Sequence, residues 1–227
     1  MAPPAVPHGA AAWVLPHAEA APPLAEVHRE AALSPADADK QHIMDINDIQ
    51  NILAASRLNF HDVCTLCRES VGIVGLPTRE AIYAFSHSTD RLTAFHALNV
   101  LCQIDSFDLD WIATKRNEIA DRILMETDVG MLRLELKLLL RLHWHPEDLR
   151  PDLVDFCLER ITRTALPYAI RSQCMKLACK QMTRFPELTD ELDSIMQMMD
   201  VELLSPGLRS TRRQVLADIK RARKKQA

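Results

Sequence analysis

Three arginines, Arg133, Arg171 and Arg209, stand 38 residues apart, each inside the same local pattern. An apolar residue precedes each one (Leu132, Ile170, Leu208). Apolar residues follow at six and seven: Leu139 and Leu140, Leu177 and Ala178, Val215 and Leu216. Asp128, Pro167 and Pro206 open the three stretches, as helix starts do. One period upstream, Arg91 to Leu101 keeps the apolar positions at an offset of 39, with Ala94 in the arginine's place. Second apolar-periodic stretches lie between: Leu109 to Met125, Leu149 to Ile161 and Glu187 to Met199. A helix pair recurring at this period cannot bury its apolar face alone, so neighbouring pairs must stack on one another.

Composition agrees with an all-α chain. Of 227 residues only 5 are glycine, and aromatics make up 5%, too few for the turns and half-buried surfaces of a β protein. A run such as Leu188, Leu192, Ile195, Met196 and Met199 places its apolar residues on one helical face. Pro146, Pro167 and Pro186 fall at element starts, and Ser205-Pro206 reads as an N-cap followed by Pro in the first turn. The spacing predicts nine or ten helices of roughly 10–18 residues.

Residues 1–40 differ from the rest. They hold 13 alanines and seven of the 13 prolines, which reads as a disordered Ala/Pro-rich arm. Residues 41–227 are expected to form the solenoid. Its final helix is a basic cap: residues 203–227 contain eight basic side chains against Asp218, leaving 19 basic and 30 acidic in the remainder. The formal charge of −4 is therefore an average over an acidic body and a basic end. No apolar run approaches the roughly 20 residues that span a bilayer, and Met1 to Val14 lacks the basic start of a secretory signal. Six cysteines spread through helical segments fit reduced thiols in a cytoplasmic setting.

The helix-starting Asp or Pro, the apolar-Arg step and the apolar residues at six and seven resemble the second helix of a HEAT repeat. The segments from His143 to Leu149, Leu153 to Leu158, Ala169 to Met175, Phe185 to Leu188 and Ser205 to Ser210 resemble small bacterial HEAT-like proteins. The resemblance spans about residues 45–220. It implies an armadillo-like, right-handed α–α superhelix of about four to five helix pairs. It brings no catalytic residue with it, because the shared motif is one of packing. Ala94 departs from the arginine position, and Arg212 and Arg213 interrupt the apolar face of the last unit, as suits a terminal cap.

Stacked repeats align Arg133, Arg171 and Arg209 into a column. The expected role is structural, each guanidinium tied to an acid or carbonyl of its neighbour; the alternative is a stripe for phosphate or acidic peptide. Cys64 and Cys67 form a CxxC with His61 three residues before, His87 and His96 being the nearest further ligands. A closed zinc site needs four ligands, so these thiols read as core. His143 and His145 flank Trp144, which either anchors a partner or seals the end of the core. No Gly-rich phosphate loop, nucleophile elbow or paired metal motif occurs.

The sequence thus predicts no catalytic residue, no cofactor, no metal and no small-molecule substrate. It predicts a non-enzymatic scaffold that binds a protein or peptide, with Trp144, Arg209, Arg212 and Arg213 as candidate contacts. The alternative is nucleic-acid binding through the basic C-terminal helix. That alternative meets the objection that the body is acidic and lacks a basic stripe along all the repeats, which a groove-tracking binder would want.

Overall fold

A computed structural model describes residues 44–226; the arm expected over residues 1–40 lies outside the described residues. Among the described residues there are α-helices and three 3₁₀ turns but no strand, as the all-α reading requires. The helices are α1 (Ile46–Leu53), α2 (Phe60–Glu69), α3 (Leu76–Phe85), α4 (Arg91–Leu101), α5 (Leu109–Thr114), α6 (Arg116–Met125), α7 (Val129–Arg141), α8 (Pro151–Thr162), α9 (Tyr168–Met182), α10 (Pro186–Met198) and α11 (Pro206–Gln226).

Local chemistry sets the boundaries. Asn59, Asp90 and Asp128 cap α2, α4 and α7, each side chain accepting a first-turn N–H; Asp128 Oδ1 takes those of Gly130 and Met131 at 2.8 and 2.9 Å. Ser205 Oγ accepts from Leu208 N–H at the start of α11. Pro151, Pro186 and Pro206 open α8, α10 and α11, where their missing N–H costs nothing.

One expected helix is two. The stretch Leu109–Met125 breaks at Lys115, which sits at φ −96°, ψ 4°. Thr114 Oγ1 donates to Trp111 O at 2.6 Å, and Lys115 N–H takes Ile112 O. These short-range bonds compete with the i→i−4 ladder and turn the chain. The break adds a helix to the nine or ten expected.

Stacking follows the repeat. The second helices α4, α7, α9 and α11 pack side by side in sequence order, while α8 packs on α9, α10 on α11, and α6 on both α7 and α8. Four pairs result, α3/α4, α5–α6/α7, α8/α9 and α10/α11, with α1 and α2 packed on the first. The repeated apolar positions fill the seams: Leu136, Leu139, Cys174, Leu177, Ala178 and Val215 are at most 1% exposed. Each such aliphatic side chain contributes about 1.5–3 kcal/mol when taken from water. Cysteines serve as small core residues, and all six are free. Cys157 and Cys174 meet across the α8/α9 seam, where this contact and burial push the Cys157 thiol well above its ordinary range.

The first pair is closed by a buried ion pair. Arg79 of α3 meets Asp108, which ends the 3₁₀ turn before α5, with side chains 6% and 7% exposed. Arg79 Nη1 also donates to Ser70 O at 2.6 Å, and Asp108 accepts the N–H of Gly72 at 3.2 Å. Gly72 adopts φ +66°, a conformation that a side chain would strain.

Candidate functional site

The arginine column resolves into two different arrangements. Arg171 is 5% exposed, and its Nε donates to Ile161 O at 3.0 Å, in the last turn of α8. Arg209 repeats the geometry, Nε to Leu204 O at 2.8 Å. Both reach back from the first turn of a second helix to the carbonyls of the preceding segment. Arg133 does not: it is exposed, and only its backbone carbonyl is engaged, by Gln173 Nε2 at 3.1 Å.

The contacts that tie one second helix to the next come from other residues. Arg141 Nη2 donates to Ile104 O at 2.6 Å, just past the end of α4. Lys180 Nζ donates to Leu140 O at 2.6 Å and Leu142 O at 3.1 Å, at the end of α7. A cation at the carbonyl end of a helix satisfies orphan acceptors and suits the dipole. Partial burial draws both groups below their ordinary range. The sequence signal was present: Arg141 and Lys180 lie 39 residues apart, one repeat, in the last turn of each helix.

In the C-terminal pairs charge separates by layer as well as by chain end, while α3 and α6 are balanced. In α10 there are four acids, Glu187, Asp190, Glu191 and Asp193, and no Lys or Arg; α8 has Asp152, Asp155 and Glu159 against Arg160. The second helices are the reverse. No acid occurs in α9, and α7 and α11 have one each, Glu135 and Asp218. Glu135 is turned inward and 2% exposed, bound by Arg122 Nε at 2.9 Å; Asp218 pairs with Arg221 at 2.6 Å. The exposed cations Arg133, Lys137, Lys176, Arg184 and Lys225 have no carboxylate at ion-pair distance among the described residues. A basic stripe runs across α7, α9 and α11. It does not extend to α4, whose one Lys or Arg, Arg91, pairs with Asp128 at 3.1 Å, which leaves in place the expectation that none follows all the repeats.

Two grooves indent that stripe. A hollow of about 840 Å³ between α9 and α11 is lined by apolar Leu140, Cys179, Val215 and Ala222, by the cations Lys176, Arg184 and Lys225, and by the Arg221–Asp218 ion pair. A smaller one of about 360 Å³ brings Arg133 and Lys137 beside Asn99, Ser172 and Gln173.

A profile of the HEAT repeat domain matches residues 50–219, three-quarters of the chain, from within α1 to within α11. This chain is a member of the HEAT repeat family. The crystal structure of an engineered protein superposes with a TM-score of 0.53 at 12% identity, covering 78% of this chain and 80% of that one; it shows the fold alone. Comparison with curated protein sequences finds no match.

Within the HEAT array the remaining candidates fall away from the stripe. Trp144 is 5% exposed, donates Nε1–H to Leu139 O at 3.1 Å, and lies beneath the Arg116 guanidinium. Its ring offers no open face, because indole burial with a satisfied N–H closes the end of the α6/α7 pair. Arg212 is half-buried and ties α11 to α10 through Met196 O at 2.6 Å, while Arg213 is exposed. Arg209, Arg212 and Arg213 share a shallow hollow with Val201 and Pro206. Cys64 and Cys67 sit half-buried on α2, where burial and the neighbouring Cys64 push the Cys67 thiol to about 12. Among the described residues no three His, Cys, Asp or Glu side chains are placed to hold a metal ion.

Proposed function

We propose that this HEAT-repeat chain is a non-catalytic protein-interaction scaffold whose partner docks on the exposed face of α7, α9 and α11. The observation that carries this reading is the separation of charge between the two helical layers. Like charges crowded on one face repel and cost stability unless something compensates them, and an acidic partner surface supplies that compensation. Such complementarity also speeds encounter and rejects wrong partners. No helix among the described residues is long and apolar enough to cross a membrane.

Nucleic acid is the second reading, favoured by the run of Lys220, Arg221, Arg223, Lys224 and Lys225 at the end of α11. Arg223 is partly spent in pairing with Asp190 and Asp193 at 2.6 and 2.7 Å, which lessens the free charge there.

Affinity capture tests the scaffold reading. Wild type, a face variant (Lys137→Glu, Lys176→Glu, Arg184→Glu) and an off-face control (Arg163→Glu) are immobilised side by side. The expected result is a protein retained by wild type and control but lost from the face variant, whose circular dichroism stays helical. Identical capture by all three would place the partner surface elsewhere.

A further inference from the structure

We propose that the groove between α9 and α11 takes an acidic helical segment with aliphatic side chains on one face; this rests on the reading that the α7/α9/α11 face binds a protein. Two features of the groove select that chemistry over a bare polyanion.

The first is its zoned lining. Leu140, Cys179 and Val215 form an apolar base. Burial and nearby Asp218 push the Cys179 thiol to about 12, so it remains uncharged at the base. A phosphate backbone gains nothing from such a floor, whereas a leucine or valine buried there gains about 25 cal/mol per Å². No Phe, Tyr or Trp lines the groove, so it offers none of the aromatic platforms on which single-stranded bases stack.

The second is the spacing of its edges. Lys176 lies eight residues before Arg184, just past the end of α9, on one rim; on the other, Lys225 lies four residues after Arg221, which is itself paired with Asp218. Four helical residues advance about 6 Å. A helix laid along the groove presents acids at i and i+4 with that same rise, and aliphatic residues between them fall on the face turned to the base. Helix-in-groove recognition works on this division of labour, with apolar anchors below and charges at the rim.

Fluorescence anisotropy at 150 mM NaCl tests the proposal with three labelled probes. One is an alanine-based helical peptide with Glu at every fourth position and two leucines on one face; the second has both leucines replaced by serine; the third is a 20-mer DNA, single- and double-stranded. Partial burial of two leucines predicts that the first peptide binds about tenfold more tightly than the second. Ala222→Glu, a half-buried position inside the groove, is expected to abolish the difference while leaving the helical circular dichroism intact. Equal binding of the two peptides would overturn the groove proposal and leave the scaffold reading standing. DNA binding tighter than either peptide would overturn it in favour of nucleic acid. Failure of every probe, together with unchanged partner capture by the face variant, would end both readings.

Discussion

Asp108→Ala should cost the fold about 3–5 kcal/mol, because it strands a buried guanidinium. The large number does not measure the strength of the Arg79–Asp108 pair. Taking two charges out of water is expensive, and their attraction repays much of that cost only while both are present. Asp108 also holds the loop between α2 and α3 by accepting Gly72 N–H, and Arg79 has few substitutes: Ser70 O at 2.6 Å and the Trp111 ring face at 5.4 Å. Urea unfolding should show a lower midpoint with the slope unchanged. Asp108→Asn should fall between, since it keeps an acceptor for Gly72 and loses the charge. The double change Arg79→Met with Asp108→Leu should lie much closer to wild type than Asp108→Ala does. A loss under 1 kcal/mol for Asp108→Ala would mean that water reaches the pair.

Stability should decline as pH rises from about 4.5 to 7, and Glu135→Gln should flatten that decline. Burial is the dominant influence on Glu135 and pushes its carboxyl from 4.5 to about 7; the Arg122 guanidinium opposes this, and Glu126 adds to it. A carboxyl raised in the folded state holds its proton there after the unfolded chain has released it. The folded form therefore binds more protons across that window, and stability falls with rising pH by up to about 3 kcal/mol. The surroundings explain why the charge is poorly met. Arg122 divides itself among Glu135, Ser86 Oγ at 3.1 Å and His87 Nε2 at 2.8 Å, and His87 is also 2.9 Å from Glu118. Glu135 Oε2 has no hydrogen-bond partner. Asp128 and Asp152 work in the opposite direction at lower pH. Their carboxyls are held below the ordinary range, by backbone N–H groups and by Arg150 respectively. Their stabilisation is present above the unfolded carboxylate range and lost as acid is added. Urea midpoints at pH 5, 6, 7 and 8 should fall for wild type and stay level for Glu135→Gln. A parallel fall in both would assign the slope to another group.

The repeat was legible because packing leaves a periodic trace. Leu139, Leu177 and Val215 recur one period apart since each fills the same seam, and the caps and prolines mark where helices begin. The α5/α6 break was not legible, because it rests on Thr114 turning its hydroxyl to its own backbone rather than outward. Arg133 shares the spacing of Arg171 and Arg209 but not their burial; the periodic pattern fixes which helix face a residue occupies without naming the carbonyl it meets. Trp144 illustrates the same limit, since a tryptophan beside two histidines in a turn reads alike whether it faces water or the core. The charged stripe was hidden by direction. Summed along the chain, acidic α8 and α10 cancel basic α7 and α9, and only the unopposed end of α11 stands out. Summed across the layers, the same residues no longer cancel.

That separation is tested most directly by cation-exchange chromatography. A chain with formal charge −4 and an isoelectric point near 6.1 should pass through a cation exchanger at pH 7.5 if its charges were mixed evenly over the surface. With Arg133, Lys137, Lys176, Arg184 and Lys225 gathered on one face, it should instead be retained at low salt and elute as salt screens the face. Lys137→Glu, Lys176→Glu and Lys225→Glu together should abolish retention. Passage of the wild type at 20 mM salt, or equal retention of the variant, would contradict the account.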